Sequence, residues 1–263
     1  MEVNKIFEKS EVFSTPKPVR LIERMIQIAA SDDAIILDFF AGSASTAHGV
    51  IEYNFIKNSS LRYIVVQLPE PLSSKNKEHK AAYDFCSKNN LSRNIADIGK
   101  ERIRRVVAKI KKENPEYKGD LGFKVFKLDS SNIRAWNPDR DDLEQTLFDH
   151  MEHLVEGRTE EDVLYELLLK RGVDLNVPIE EMVINNKTVY SIGYGVLFAC
   201  LDKKITRDQV EGLAMGILDW HKELEPTGDT QVVFRDSAFD GDITKTNMTA
   251  ILEQHGIAHV RSL

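Results

Sequence analysis

Cysteine is scarce in this chain: Cys86 and Cys200 are the two among 263 residues. Two thiols cannot build a disulfide framework or a four-cysteine zinc site, and such sparse use fits a reducing compartment. Long apolar runs are also lacking. The longest, near Ile192 to Leu201, contains Gly193 and Gly195 and is too short to cross a bilayer as a helix. The opening residues MEVNKIFEKSE hold no apolar stretch of the secretory type. No membrane partner is therefore expected, and the expected location is the cytoplasm. No internal repeat or low-complexity tract is visible.

What is present is the composition of a globular protein, 42% hydrophobic and 29% charged. The charge is uneven. Residues 1 to 120 carry 20 Lys and Arg against 16 Asp and Glu, a balance of +4; the remainder carries 15 against 26, a balance of −11. A mildly basic first part and a strongly acidic second part indicate two domains with different partners. The boundary is expected near 115–121, after Asn114-Pro115, giving domains 1–118 and 119–263.

Hydrophobic periodicity places the elements. Thr15 is a candidate cap, and Pro16 or Pro18 a candidate opening, for a helix carrying Leu21, Ile22, Met25 and Ile26. The runs 34–38 and 62–68 read as buried parallel strands around a helix from Thr46 to Ile56, hence a βαβ unit. Helices are expected over 79–88 and 95–113, and a strand over 121–128. Helices over 139–153 and 159–170 follow, then strands at 181–184, 188–192 and 195–201, with a turn at Asn185-Asn186. Thr206 is a candidate cap for the next helix. Strand 231–235, helix 243–255 and strand 257–261 close the chain.

The stretch Ile35 to Thr46, IILDFFAGSAST, carries the chemistry. A strand ends in Asp38, and a loop containing Gly42 leads into a helix N-terminus, a place where backbone approaches a ligand closely. The loop has neither GxxxxGK[ST] nor GxGxxG, which excludes a P-loop and leaves dinucleotide binding unsupported. Ser43 lies in AGSAS, not in GxSxG, so it is no nucleophile elbow.

These residues resemble a known family. Asp38-Phe-Phe-Ala-Gly-Ser-Ala-Ser-Thr46 is similar to the first S-adenosylmethionine motif of amino-group DNA methyltransferases, D-x-F-x-G-S-G-T-T. Phe13-Ser-Thr-Pro-Lys-Pro18 resembles their FxxPKP motif, which precedes the glycine loop in one circularly permuted class. Tyr63-Ile-Val-Val-Gln-Leu-Pro-Glu70 resembles the second-strand motif. With NIADIGKERIRRV, LGFKVFKLDSSNIRAW and VVFRDSAF, the series resembles the C-terminal part of the modification subunit of a type III restriction–modification system.

The resemblance implies a partial Rossmann-like S-adenosylmethionine-dependent methyltransferase sheet, followed by a smaller α+β domain. It implies that Asp38 and Gly42 line the methionine side of the cofactor, with Ser43 in the same loop and Phe40 beside it. Phe13, Thr15 and Lys17 close over the methionine moiety. Glu70 accepts hydrogen bonds from the ribose hydroxyls, as suits a carboxylate at the carboxyl end of a strand. The implied partners are DNA, the modification and restriction subunits, and an N-terminal complementing chain; a sheet without its N-terminal strands has an uncovered edge and an exposed apolar face, so a homo-oligomer is also expected.

Two departures stand out. Ala44 occupies the place of the family's second glycine, so its methyl is expected to oppose a positive φ or to crowd the cofactor. The D-P-P-Y motif, which receives a flipped adenine, is missing. Asn137-Pro138-Asp139 and Leu68-Pro69-Glu70-Pro71 are the nearest approaches. In the permuted order D-P-P-Y precedes FxxPKP, so the expectation is the C-terminal portion of an adenine methyltransferase that binds S-adenosylmethionine but does not methylate alone. The alternative is a non-enzymatic interaction module with a vestigial loop.

Other features have plainer readings beside the functional ones. Lys100, Arg102, Arg104, Arg105, Lys109, Lys111 and Lys112 form one face of helix 95–113, which reads as a solvated face or as a phosphate-tracking one. His150 and His153 have helical spacing for a metal but no further ligands. Asp236, Asp240 and Asp242 lack the glutamate of a calcium loop and fit a turn with a helix cap. Trp136, Trp220 and Cys200 read as packing residues.

Overall fold

The computed structural model describes residues 6–7, 12–13, 15–134 and 154–263. The expected helix 139–153, with His150, His153 and Trp136, lies outside the described residues. Two compact units divide between Phe123 and Lys124.

In the first unit, α1 (Val19–Ala29) precedes β1 (Ile35–Asp38), α2 (Ser45–Lys57) and β2 (Arg62–Val65). β1 and β2 pair in parallel, from Ile35 opposite Arg62 to Asp38 opposite Val65, with α2 as the crossover. Ile36 and Tyr63 pack with Ile22, Ile26, Val50 and Leu61, so the even positions of β1 and the odd positions of β2 face the helices. α1 and α2 approach so closely that a Cβ on Gly49 would lie 2.7 Å from Ile22 Cγ2. Two expectations fail here. α1 is capped by Pro18 with no side-chain bond, so Thr15 does not cap it; the extended Pro18 itself starts the helix. The two strands are also not buried. Ile35, Leu37, Phe39, Ile64, Val66 and Leu68 are exposed, and strand alternation puts them on the face away from the helices.

α3 (Lys80–Lys88) and α4 (Ile95–Glu113) follow. Asn94 caps α4 by accepting from Asp97 N–H. Residues 121–128 form no strand, contrary to their alternating pattern. Leu121 and Phe123 instead pack with Ile51, Ile103 and Val106, and alternation without a partner strand supplies no ladder.

In the second unit, α5 (Glu160–Arg171) opens with Thr159 and Asp162 capping each other reciprocally and ends at Gly172, φ +68°. A five-stranded sheet follows in spatial order β3 (Ile179–Ile184), β4 (Lys187–Ile192), β5 (Leu197–Cys200), β6 (Gln231–Phe234), β7 (His259–Ser262). The first three strands are antiparallel and the last three parallel. Asn185 and Asn186, both at positive φ, make the two-residue turn between β3 and β4. α6 (Val210–Leu224) and α7 (Asp242–Gln254) are the crossovers. Phe198, Cys200, Val232 and Phe234 pack with α6 and α7 residues, while Leu197, Ala199 and Val233 pack with α5 residues. Both faces are thus covered by helices. The sheet is mixed, and its parallel strands are joined by helical crossovers. Trp220 packs edge-on against Phe198, and burial pushes the Cys200 thiol up to about 12.

Glu166 of α5 anchors the segment before it. It accepts from Ser131 Oγ at 2.5 Å and Asn132 N–H at 2.6 Å, and it pairs with Lys170 at 2.8 Å. Burial would raise this carboxyl, but Lys170, Ser131 and Asn132 together pull it down from 4.5 to about 2. A depressed carboxyl stabilises the fold above its unfolded pKa, and that contribution is lost as pH falls from about 4.5 toward 2. The shift corresponds to at most about 3 kcal/mol, and about 1–2 kcal/mol after screening at the exposed lysine. Glu166→Gln should remove that part of the acid sensitivity. Urea titrations from pH 5 to pH 2, followed by tryptophan fluorescence, check it; identical slopes for both proteins would refute the anchor.

Candidate functional site

The loop between β1 and α2 is shaped by Asp38. Its Oδ1 accepts from Phe40 N–H at 3.0 Å and its Oδ2 from Thr46 Oγ1 at 2.6 Å. The acid that ends the strand therefore ties both ends of the loop together. Ala41 N–H donates to Val66 O, Ala44 N–H to Ala41 O, and Gly42 N–H to Gln67 Oε1 at 2.7 Å. With these amides engaged, the loop is not an open cradle for phosphate, in agreement with the lack of a P-loop sequence.

Gly42 sits at φ +51°, where glycine is favoured, and a Cβ built on it would meet only Phe40 O, at 3.8 Å. One side of Gly42 is thus open. Ala44 takes φ +55° in spite of its methyl, a conformation that costs an L-residue about 1–2 kcal/mol. Its side chain is 2% exposed and packs with Ala47, Ile51 and Ile103. The positive φ is therefore adopted, and the methyl lies in the core of the unit; it does not crowd the open side of the loop.

The expected site residues fall into two groups. Asp38, Phe40, Gly42 and Ser43 share the β1–α2 loop, and Phe40 is 84% exposed. Lys17 is brought to the loop through its backbone, its carbonyl accepting from Ser45 Oγ at 3.0 Å. The second-strand segment is brought there by Gln67 on Gly42. Glu70 is exposed; its carbonyl accepts from Ile95 N–H at 3.3 Å. Ser43 is buried, with its hydroxyl among protein partners. Thr15 is exposed, and Phe13 packs with the cluster of Phe7, Phe85 and Ile98.

Sequence reasoning missed Gln67, Thr46 and Arg102. Gln67 lies inside the motif YIVVQLPE, and its position beyond a strand end was the available signal. Arg102 was placed on the basic face of α4, but it is fully buried at 0% exposure. Its Nη1 donates to Ser43 O at 2.8 Å and its Nε to His48 Nδ1 at 3.2 Å. Arg105 is also turned inward, over the Phe7 and Phe85 rings and bonded to Glu101, and Lys100 pairs with Asp97. Arg104 also lies 3.9 Å from Glu101, so the basic face of α4 is smaller than the residue types suggest. Asp236 pairs with Lys245, and Asp240 accepts from Thr244 Oγ1, as befits a turn before α7. Among the described residues no group of metal-ligating side chains gathers, and no helix is long and apolar enough to cross a membrane.

The β1–α2 loop thus presents an exposed phenyl ring and an open glycine side. Comparison with known proteins finds relatives for part of this chain. Residues 2–57 match the DNA methylase family. The chain is 39% identical over 117 residues to the type III restriction–modification enzyme StyLTI Mod subunit of Salmonella typhimurium, covering 44% of this chain and 17% of that protein. It is 32% identical over 185 residues to the EcoP15I Mod subunit of Escherichia coli, covering 69% of this chain and 25% of that protein. The type II methyltransferase M.KpnI of Klebsiella pneumoniae is 37% identical over 92 residues, 35% of this chain and 22% of that protein. The chain thus spans between 17% and 25% of the curated relatives it matches. It is a methyltransferase-family protein, related to the modification subunits of type III restriction–modification systems.

Proposed function

We propose that this chain is the cofactor-side portion of an adenine-specific DNA methyltransferase and binds S-adenosylmethionine at the β1–α2 loop. The observation that carries this reading is the meeting of three separate segments at one rim. Ser45 Oγ bonds the Lys17 carbonyl, Asp38 ties the loop, and Gln67 Oε1 receives the Gly42 amide. The segments resembling FxxPKP, the glycine motif and the second-strand motif converge where α/β sheets take up ligands.

When bound, the cofactor supplies an electrophilic methyl group. The chain's own residues orient it: Phe40 offers a ring face, Gly42 leaves room, and Glu70 accepts from hydroxyls. The sequence holds no D-P-P-Y, so positioning of a flipped adenine falls to another segment. The partners follow as DNA, an N-terminal complementing segment, and the modification and restriction subunits. The two β-strands leave an apolar sheet face outside the helices, which suits a complementing segment packed against it.

Calorimetric titration of the chain with S-adenosylmethionine tests the reading, with an N-terminal segment supplied in parallel. Saturable binding is expected; no heat in either titration would overturn it. Glu70→Ala should weaken binding by about 1–3 kcal/mol through loss of charge-assisted hydrogen bonds. It should leave the fold intact, because the residue is exposed beyond the strand. Unchanged affinity in Glu70→Ala would remove that residue from the site.

A further inference from the structure

Arg102 is the largest fully buried side chain among the described residues, at 0% exposure. It stands on the apolar face of α4 with Ile98, Ile103 and Val106. A buried guanidinium is costly to desolvate, and an apolar side chain of similar volume often serves packing as well or better. A guanidinium at such a position points to a role that apolar packing cannot fill.

The hydrogen bonds show one. Nη1 reaches Ser43 O at 2.8 Å, Ser43 Oγ at 3.0 Å and Ser45 Oγ at 2.9 Å. Ser43 and Ser45 flank Ala44, the residue held in the left-handed region. One nitrogen thus clamps both sides of the strained position. Ser45 Oγ donates to Lys17 O, so the Ser43 hydroxyl is the donor in the 3.0 Å Ser43–Ser45 bond. The other side of the guanidinium meets His48. Nε lies 3.2 Å and Nη2 3.0 Å from His48 Nδ1. Facing N–H groups, Nδ1 must be an acceptor, which puts the imidazole proton on Nε2. Nε2 lies 3.0 Å from Glu52 Oε1, and the nearby His48 holds the Glu52 carboxyl below its ordinary value against the effect of burial. The guanidinium is fixed from behind by α2 and grips the loop in front.

We propose that Arg102 is a positioning residue that imposes the shape of the 42–45 loop, and through it the affinity for the methyl donor; the second half rests on the cofactor reading above. The role is specific to arginine. A lysine ammonium is a single point of donors and cannot bridge the serines and His48 together.

The test uses the full chain. Amide hydrogen exchange of residues 41–46, urea unfolding and calorimetric titration with S-adenosylmethionine are measured for wild type, Arg102→Met, Arg102→Lys and the milder Ser43→Ala. Both Arg102 variants should speed exchange at Ala41, Gly42 and Ala44 at least about 10-fold, relative to α4 amides in the same protein, and weaken binding at least about 10-fold. Ser43→Ala, which leaves the core filled, should speed loop exchange about 3-fold or more. Wild-type loop exchange in Ser43→Ala and in whichever Arg102 variants fold overturns the positioning role. Faster loop exchange with unchanged affinity, in a wild type that does bind, overturns its link to the cofactor. Faster loop exchange in a chain whose wild type binds nothing sustains the clamp and refutes the cofactor reading instead.

Discussion

Asp38→Ala is expected to lower the affinity for S-adenosylmethionine at least about 100-fold, the largest loss of any single substitution in the loop. The size follows from two bonds. A carboxylate accepting from Phe40 N–H and from Thr46 Oγ1 makes two charge-assisted hydrogen bonds, each worth about 1.5–3 kcal/mol. Losing both frees the loop from β1 at one end and from α2 at the other, so that ordering it again falls to the ligand. Overall stability should fall less, because Asp38 is half-buried at a strand end and the β1–β2 ladder does not use its side chain. Asp38→Asn separates shape from charge. Its amide oxygen can still accept from Phe40 N–H and its amide nitrogen can donate to Thr46 Oγ1, so about 10-fold of the loss should return. Calorimetric titration of the three proteins, with urea midpoints measured alongside, checks the ranking. An Asp38→Ala chain that binds like wild type would mean that the loop is not the cofactor site.

Asp38 at the end of an apolar run, Gly42 in the turn and Glu70 after the second run were readable because strand, turn and helix have distinct periods and residue types. The βαβ unit, the Asn185-Asn186 turn and the closing strand–helix–strand were readable for the same reason. Burial of a charge was not. Arg102 sits four residues after Ile98 and four before Val106, a spacing that belongs to the apolar face of α4. Its residue type assigned it instead to the basic face. Only the approach of Ser43, Ser45 and His48 from a distant part of the chain reveals why a charge lies there. Residues 121–128 show the converse. Alternation is a property of one segment, whereas a strand is a property of two, and no pattern within LGFKVFKL names a partner. Ala44 shows a third limit. The sequence led to the expectation that its methyl would oppose a positive φ, yet Ala44 adopts φ +55°, because the direction of that methyl depends on how α2 and α4 pack.

The exposed sheet face should drive the isolated chain to associate with itself. β1 and β2 are apolar on both faces, the pattern of a parallel sheet covered on both sides. Helices cover one face. On the other, Leu37 and Ile64 stand opposite each other at 50% and 51% exposure, flanked by Ile35, Phe39, Val66 and Leu68. These six side chains expose an apolar patch of the order of 500 Å², as large as the patches that mark interaction sites. In a complete enzyme we expect the complementing segment to lie there. In its absence the same chemistry is offered by a second copy, and pairing two such faces removes both patches from water. Sedimentation velocity should therefore show a dimer or larger species whose share grows with concentration. Leu37→Lys with Ile64→Lys places two like charges at the centre of the patch and should return the chain to monomer. The interior is untouched, because both residues point away from α2, and an unchanged urea midpoint would confirm that. Association that survives the double substitution would assign the contact to another surface, such as the edges of the five-stranded sheet at β3 and β7.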